Sequence, residues 1–422
     1  MDDIETRTGK RFTMNDALPR PAVNWKKNLL VVWLSQFLAM IGFGCCMPFI
    51  PLFLRDQLGI VNDQLRGFYV SVYYFSGMTS LCIASAVWGI HADRFGRKLM
   101  LLRASYAAAL FYPLFALSPN IYVLLAIRFI CSFLAGTVNP AQTLLVATTP
   151  PEKHGFVLGT FSTSIWGGNM LGYMTGGLVV HYFGYTAAFM TCGVIYLISG
   201  ALVHIFAEEH FVRPVRTAAK KQPIIRGGFT PGILWLMLMF LLMGLGRRVE
   251  EPFVAMQVEV VHGKADAAFY TGIASAAAAL GGVISGILIG KLCDRYSPAK
   301  LAVPIIAVTA LATLGQAYSV GIAMFIVTRF FTYLAAGGIQ PVLQVMLSRI
   351  ITPATRGTYF GWTNSVNMAG GILCSFISAP LAYFSTVRGI FAAGAVIIAL
   401  MIPLMFPTTR ACDKETQTLR EE

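Results

Sequence analysis

The sequence predicts an all-α integral membrane protein of twelve transmembrane helices in two homologous six-helix bundles, and three observations carry that prediction. First, the 422 residues are 56% hydrophobic and 12% charged, whereas a soluble domain carries about 25% charge. Second, the apolar residues gather into twelve stretches, and a helix needs roughly 20 apolar residues to cross the hydrocarbon. Third, short strings recur. Gly89-Ile90-His91-Ala92-Asp93-Arg94 returns 201 residues later as Gly290-Lys291-Leu292-Cys293-Asp294-Arg295, Arg128-Phe129 as Arg329-Phe330, and Asn139-Pro140 as Gln340-Pro341. Pro48-Phe49 returns as Pro252-Phe253, 204 residues on. A duplication held in register through apolar sequence marks two membrane repeats facing one another.

Each span is set off by polar or helix-breaking residues. The first, 28–54, follows Trp25-Lys26-Lys27, an interfacial anchor, and stops at Arg55-Asp56. The second, 67–90, runs from Arg66 to the Asp93-Arg94 turn, and the third, 99–118, from Lys98 to Pro119-Asn120. The fourth, 121–147, ends at Thr148-Thr149-Pro150, the fifth, 156–180, at His181, and the sixth, 185–207, at Glu208-Glu209. The second set repeats the scheme over 231–258, 267–290, 301–318, 322–350, 357–383 and 387–406, with Glu259, Lys291, Ser319, Pro353, Phe384 and Pro407 just beyond their ends. The domain plan is an amino-terminal segment 1–27, bundles 28–207 and 231–407, a linker 208–230 rich in Arg, Lys, Pro and Gly, and a tail 408–422.

Charge orients this plan. Of the 32 Lys and Arg, Arg55, Arg66, Lys264 and Arg388 fall on one side of the spans, and the great majority fall on the other. The positive-inside rule puts both termini in the cytoplasm. The net charge of +13 then reflects topology and attraction to anionic lipid headgroups, with no nucleic-acid partner needed. The first 27 residues lack the apolar core of a signal peptide, so insertion is expected through the first span. The eight cysteines show no CxxC and no paired His spacing, so neither a metal site nor a disulfide framework is expected, and no cofactor is implied. Clustered His/Asp ligands, a Ser nucleophile with its base and a GxxxxGK[ST] loop are all missing, which argues against an enzyme or an ATP-driven pump.

Four sets of residues stand out inside this frame. In the turn between spans two and three, Gly89 suits close helix approach and Gly96 a tight turn. Asp93 can accept charge-assisted bonds from Arg94, Arg97 or neighbouring helix ends, forming a conformational latch with a second copy at Asp294-Arg295. In span one, Gly42, Pro48 and Pro51 open the helix near mid-membrane, as suits a gating element or a plain kink. Span five carries Gly168, Gly172, Tyr173, Gly176 and Gly177, a small-residue seam for close helix packing.

The fourth set is intramembrane charge. Arg128 and Arg329 occupy equivalent positions, and Gly246-Arg247-Arg248-Val249-Glu250-Glu251-Pro252 lies in the register of the Gly42–Pro48 string. Charges at this depth must face protein or water. Helical spacing lets Arg247 meet Glu250 and Glu251, and Arg248 meet Glu251. Such a cluster either neutralises itself as a structural set or switches protonation. Among aromatic residues, Tyr69, Tyr73, Tyr74, Trp166, Phe331 and Trp362 are candidates for a pocket wall, although lipid-facing or core positions are the commoner fate of such residues.

The Gly89-x-x-x-Asp93-Arg94-Phe95-Gly96-Arg97-Lys98 turn resembles the hallmark loop of the major facilitator superfamily, with Ser297 replacing the second glycine in the repeat copy. Gly42-x5-Pro48-x-x-Pro51 resembles a signature of its twelve-helix drug:proton antiporter branch, which contains bacterial multidrug exporters. Arg128 matches the intramembrane Arg of the family's fourth helix, with Cys131 and Ser132 replacing the usual polar residue and Gly. The span-five glycines are similar to its antiporter motif, with Tyr173 replacing Pro. The resemblance covers nearly the whole chain. It implies rocking of two bundles around a central site and proton-coupled efflux of small organic molecules by a monomer in a bacterial inner membrane. Export of an anionic metabolite such as a carboxylate siderophore, suggested by the intramembrane arginines, and a sugar or other metabolite carrier of the same superfamily are the alternatives.

Overall fold

The computed structural model describes residues 23–209, 211, 228–351 and 355–421. Most of the linker, including Arg213, Arg216, Lys220, Lys221 and Arg226, lies outside the described residues. The first half comprises α1 (Trp25–Cys46), α2 (Ile50–Asp56), α3 (Asp63–Phe95), α4 (Arg97–Ala116), α5 (Ile121–Leu134), α6 (Val138–Thr148) and α7 (His154–Phe206). The second comprises α8 (Pro231–Arg248), α9 (Val254–His262), α10 (Ala267–Arg295), α11 (Pro298–Ala317), α12 (Ile322–Ala336), α13 (Ile339–Ile350), α14 (Arg356–Phe384) and α15 (Val387–Glu421).

Twelve spans emerge once breaks and mergers are sorted. Among the described residues eleven segments are long and apolar enough to cross a membrane, one of them the 53-residue stretch His154–Phe206. At 1.5 Å per residue such a helix would be about 80 Å long, far more than a bilayer core of ~30 Å. The chain in fact turns at Gly184, where φ is 80° and ψ 176°, a backbone state open to glycine. Its neighbours on α1 show the reversal. Phe37, Ile41 and Cys45 meet Gly168, Gly172 and Gly176 in rising order, whereas Ser35, Gly42 and Cys46 meet Ser199, Tyr196 and Ala188 in falling order. Spans five and six therefore form an antiparallel pair joined by a single glycine turn, shorter than the sequence suggests. The last helix also runs past the expected boundary at 406, continuing to Glu421.

Breaks occur at repeat-related places. Spans one and seven are interrupted by 3-10 turns at Met47–Phe49 and Glu251–Phe253, because Pro48 and Pro252 each remove a backbone donor. Spans four and ten are interrupted around Gly136 and Gly337, again 201 residues apart.

Glycines set how closely the broken spans are held. A Cβ at Gly168 would meet the Phe37 carbonyl oxygen at 2.5 Å, one at Gly172 the Ile41 carbonyl oxygen at 2.5 Å, and one at Gly176 the Cys45 Cα at 2.5 Å. The span-five seam thus lies against the backbone of α1. In the second half Gly244 faces the Asn367 carbonyl and Gly370 the Leu241 carbonyl, so α14 holds α8 in the same way. Gly159, on the same helix as the seam, has nothing within 4 Å of an added Cβ. Alanine is favoured over glycine by about 1 kcal/mol in a helix with free space, and overpacking costs about 1–3 kcal/mol. Gly172→Ala is expected to lower the melting temperature of the detergent-purified protein, while Gly159→Ala leaves it equal or higher. Equal effects of the two substitutions would contradict the seam.

Candidate functional site

Between the halves lies a cavity of about 330 Å³, and the two proline breaks form part of its wall. From the first half come Phe43, Met47, Pro48, Tyr74, Trp166, Asn169 and Tyr173. The second half contributes Arg247, Arg248, Glu251, Ser275, Arg329, Tyr333, Gln340 and Asn367, among others. One wall is aromatic and the other charged. Of the candidate pocket aromatics, Tyr74 and Trp166 reach the cavity, Tyr73 is fully buried within the first bundle, and Phe331 and Trp362 are exposed. Pro48 lines the cavity, Gly42 packs on Tyr196 and Pro51 is buried in α2.

The helix-seven charges do not pair as helical spacing suggests. Among the described residues no ion pair within 4 Å joins Arg247 or Arg248 to Glu250 or Glu251. The reason is local: α8 stops at Arg248, Val249 and Glu250 form a bend, and Glu251 starts the 3-10 turn, so the i,i+3 and i,i+4 relation no longer holds. Glu250, 2% exposed, turns away from the cavity. Its Oε1 accepts from Arg329 Nη1 at 3.4 Å, and the same Nη1 donates to Gln316 Oε1 at 3.1 Å. Gln316 Nε2 in turn donates to Thr332 Oγ1 at 2.6 Å. Glu251, by contrast, is exposed to the cavity. Two adjacent carboxylates thus occupy opposite settings.

At the end of the spans away from the termini the halves are sealed together. Glu259 of α9 accepts from both Arg55 and Arg66 Nη2, the latter at 2.5 Å. Arg66 also donates to Asp63 Oδ1 at 2.7 Å, Arg55 Nε to Asp56 Oδ1 at 2.5 Å, and the Tyr185 hydroxyl to Asp56 Oδ2 at 2.5 Å. Arg66 is 2% exposed and the Glu259 side chain 6%. Arg55 and Glu259 stand 204 residues apart, the interval of Pro48 and Pro252, so they are equivalent positions carrying opposite charge. Around them Gly177 fits against Gly272, and Gly67 against Ala382 and Phe253. Toward the termini no comparable contact between the halves is seen at the described glycines. Gly89, Gly155, Gly159, Gly286 and Gly361 all face open space, so the close approach expected at Gly89 is not made in this conformation.

The family model for the Major Facilitator Superfamily matches residues 32–315 and 236–421. The chain belongs to the major facilitator superfamily. Multidrug resistance protein MdtG of Salmonella heidelberg (strain SL476) is 27% identical over 387 residues, covering 89% of this chain and 94% of the relative, and its Salmonella arizonae counterpart matches equally. Among solved structures, a bacterial homolog of the human lysosomal transporter Spinster in an inward-facing, unoccupied conformation aligns with TM-score 0.71 at 16% identity, over 93% of this chain and 98% of that one. The POT family transporter PepTSo aligns with TM-score 0.74 at 11% identity, over 94% and 99%. A D-xylose-proton symporter aligns with TM-score 0.70 at 16%, over 89% and 97%. At these identities the structures share the fold alone. The chain is a transporter.

In this major facilitator protein the loop between spans two and three is tied to its own half. Gly96 adopts φ 95°, which glycine alone takes easily. Glu209 caps the helix that follows, its carboxylate accepting the backbone N–H groups of Arg97 at 3.0 Å and Lys98 at 2.7 Å. The Lys98 ammonium donates to the His204 and Ala207 carbonyls at the end of span six, as a cation suits a helix C-terminus. Arg94 and Arg295 are exposed, and the side chains of Asp93 and Asp294 lie outside the described residues. Arg128 is not among the cavity-lining residues. Its guanidinium stacks over Tyr73 at 4.8 Å and packs on Gly77 within the first bundle, whereas its equivalent Arg329 reaches the cavity. Sequence reasoning missed Glu259 and Glu209, whose partners are distant in the chain. The one available signal was the inverted charge of Arg55 and Glu259 in the repeat register.

Breaking a buried ion pair by removing one partner costs about 3–5 kcal/mol, and here Asp56 and Asp63 remain to moderate the loss. Glu259→Gln is expected to loosen the seal, measured as several-fold faster labelling of Ser275→Cys in the cavity by an impermeant thiol reagent applied to the face opposite the termini. Lys264→Gln, on the same face and outside the lock, serves as control. Unchanged labelling in Glu259→Gln would count against the seal.

Proposed function

We propose that the chain exports small organic molecules in exchange for protons by alternating access, as a monomer in a bacterial inner membrane with both termini and the linker in the cytoplasm. The observation that carries this reading is the bend at Val249–Glu250, which presents Glu251 to the cavity and buries Glu250 against Arg329. A carboxylate open to the cavity is within reach of both substrate and protons. Its neighbour, bonded inside the second bundle, serves to hold the bend. The curated relatives named for multidrug resistance support the drug-efflux class. Closure at the Glu259 lock, with open space beside Gly89 and Gly286 toward the termini, supports reading this as the cytoplasm-facing state, in which substrate is loaded. Arg128 is then a structural cation of the first bundle, and the Asp93 and Asp294 loops hold the opposite, outward-facing state once the ends draw together. Inner-leaflet anionic lipid is the expected neighbour of the basic loops.

Inside-out vesicles acidified within test this reading, with a panel of cationic, zwitterionic and anionic aromatic amphiphiles added outside. Substrate-dependent loss of the pH gradient is expected, and Glu251→Gln should abolish at least nine-tenths of it while folding normally, because among the described residues Glu251 has no ion-pair partner within 4 Å to lose. Glu250→Gln should instead reduce the yield and thermal stability of the protein, since it leaves Arg329 buried without its carboxylate, a loss of about 3–5 kcal/mol. Gradient loss that persists in Glu251→Gln would remove this carboxylate from coupling.

A further inference from the structure

We propose that the cavity selects amphipathic zwitterions, molecules that join a flat apolar body to one carboxylate and one basic nitrogen; this rests on the transport reading of the same cavity. The charged wall presents both signs, and among the described residues no ion pair within 4 Å joins them. Arg247 and Arg248 line the cavity, and among the described residues neither joins an ion pair within 4 Å. The Nη1 of Arg248 packs against Gly371 of α14 with no hydrogen-bond partner, which anchors this side chain beside the cavity. Glu251 shares that wall, exposed to the cavity and outside every ion pair among the described residues. The bend at Val249–Glu250 keeps these charges apart, and Glu250, the carboxylate nearest in sequence to both arginines, is committed to Arg329.

Two guanidinium groups on one wall suit a carboxylate on the ligand, with the geometry of a planar fork. Glu251 asks for the opposite partner. A ligand carrying only a cation satisfies Glu251 but is repelled by two arginines, and a ligand carrying only an anion meets Glu251 as a like charge. A zwitterion answers both. The facing wall of Phe43, Tyr74, Trp166 and Tyr173 offers broad aromatic surface for a flat apolar body. The cavity volume of about 330 Å³ lies at the small end of ligand sites. Coupling follows in sign: a proton on Glu251 removes its attraction for the ligand's ammonium, so proton and zwitterion oppose one another at one site, as exchange requires.

The test measures binding to the purified full-length protein by titration calorimetry, using 4-phenylphenylalanine as zwitterion, its methyl ester as cation and its N-acetyl derivative as anion. The zwitterion is expected to bind at least tenfold more tightly than either derivative. Glu251→Gln should weaken the zwitterion and the ester at least fivefold while sparing the N-acetyl compound. Arg248→Gln should weaken the zwitterion and the N-acetyl compound while sparing the ester. Arg247→Gln provides the same reading should Arg248→Gln fail to fold, as judged by gel filtration and melting. Equal or tighter binding of the ester, equal losses for all three ligands in either variant, or no binding of the zwitterion would overturn the proposal. Vesicle proton release separates the two readings. Binding with this charge pattern but without proton release leaves the ligand class standing and the exchange reading fallen, whereas proton release driven by the ester alone does the reverse.

Discussion

Backbone polar groups inside a bilayer must find partners, and this constraint governs the placement of nearly everything else in the molecule. Pro48 and Pro252 unwind their spans about two thirds of the way along, and unwound backbone is tolerated only against protein or a water-filled cavity. The cavity is where both breaks are sheltered. Charges that lipid would exclude then become tolerable on the same surface, which is why Arg247, Arg248 and Glu251 gather beside the second break. The glycine seams complete the arrangement. Gly172 against Ile41 and Gly370 against Leu241 grip the stem of each broken span ahead of its break, so the breaks are held at fixed positions and do not slide along the helix.

Duplication supplied the scaffold, and departures from it supplied the site. Breaks recur faithfully at Pro48 and Pro252 and around Gly136 and Gly337, because backbone geometry is shared by the two halves. The side chains diverge where the halves must meet. Positions equivalent by the repeat face each other across the junction, so a charge simply copied there would repel itself. Arg55 against Glu259 turns that repulsion into attraction. Arg128 and Arg329 diverged differently. One is absorbed over Tyr73 inside its bundle, while the other bonds Glu250 and reaches the cavity. The first half consequently offers an aromatic wall and the second a charged one.

The spans were readable from sequence because twenty apolar residues bounded by Lys, Asp or Pro have few other solutions, and the register of the repeat was readable from Asp93 and Asp294. Fine geometry was less legible, for identifiable reasons. A single glycine at 184 reverses the chain in less length than a loop was expected to need. The Arg247–Glu251 cluster was read on helical spacing, which the adjacent Pro252 had already signalled would fail. Glu259 and Glu209 act on partners brought near only by folding, the first on Arg66, 193 residues earlier in the chain, and the second on backbone N–H groups that no side-chain pattern reveals. Gly89 reads as a place for close approach, and no such approach is made there in this conformation.

Site and seal share one short element. Val254 lines the central cavity, while Met256, two residues on, lines a separate cavity of about 480 Å³ at the sealed end. Phe253, just before them, is set against Gly67 across the junction of the halves. The helix that follows the bend, Val254–His262, is about 13 Å long at 1.5 Å per residue and carries Glu259 about one and a half turns from its start. A helix this short moves as a unit, so any rearrangement at Val249–Glu250 changes the direction in which Glu259 points. Moving Glu259 by even a few ångströms separates it from Arg55 and Arg66, since charge-assisted bonds of this kind are lost beyond ordinary hydrogen-bond reach. The bend that exposes one carboxylate to the cavity and the carboxylate of the outer lock therefore belong to one short stretch of span seven, nine residues from Glu251 to Glu259.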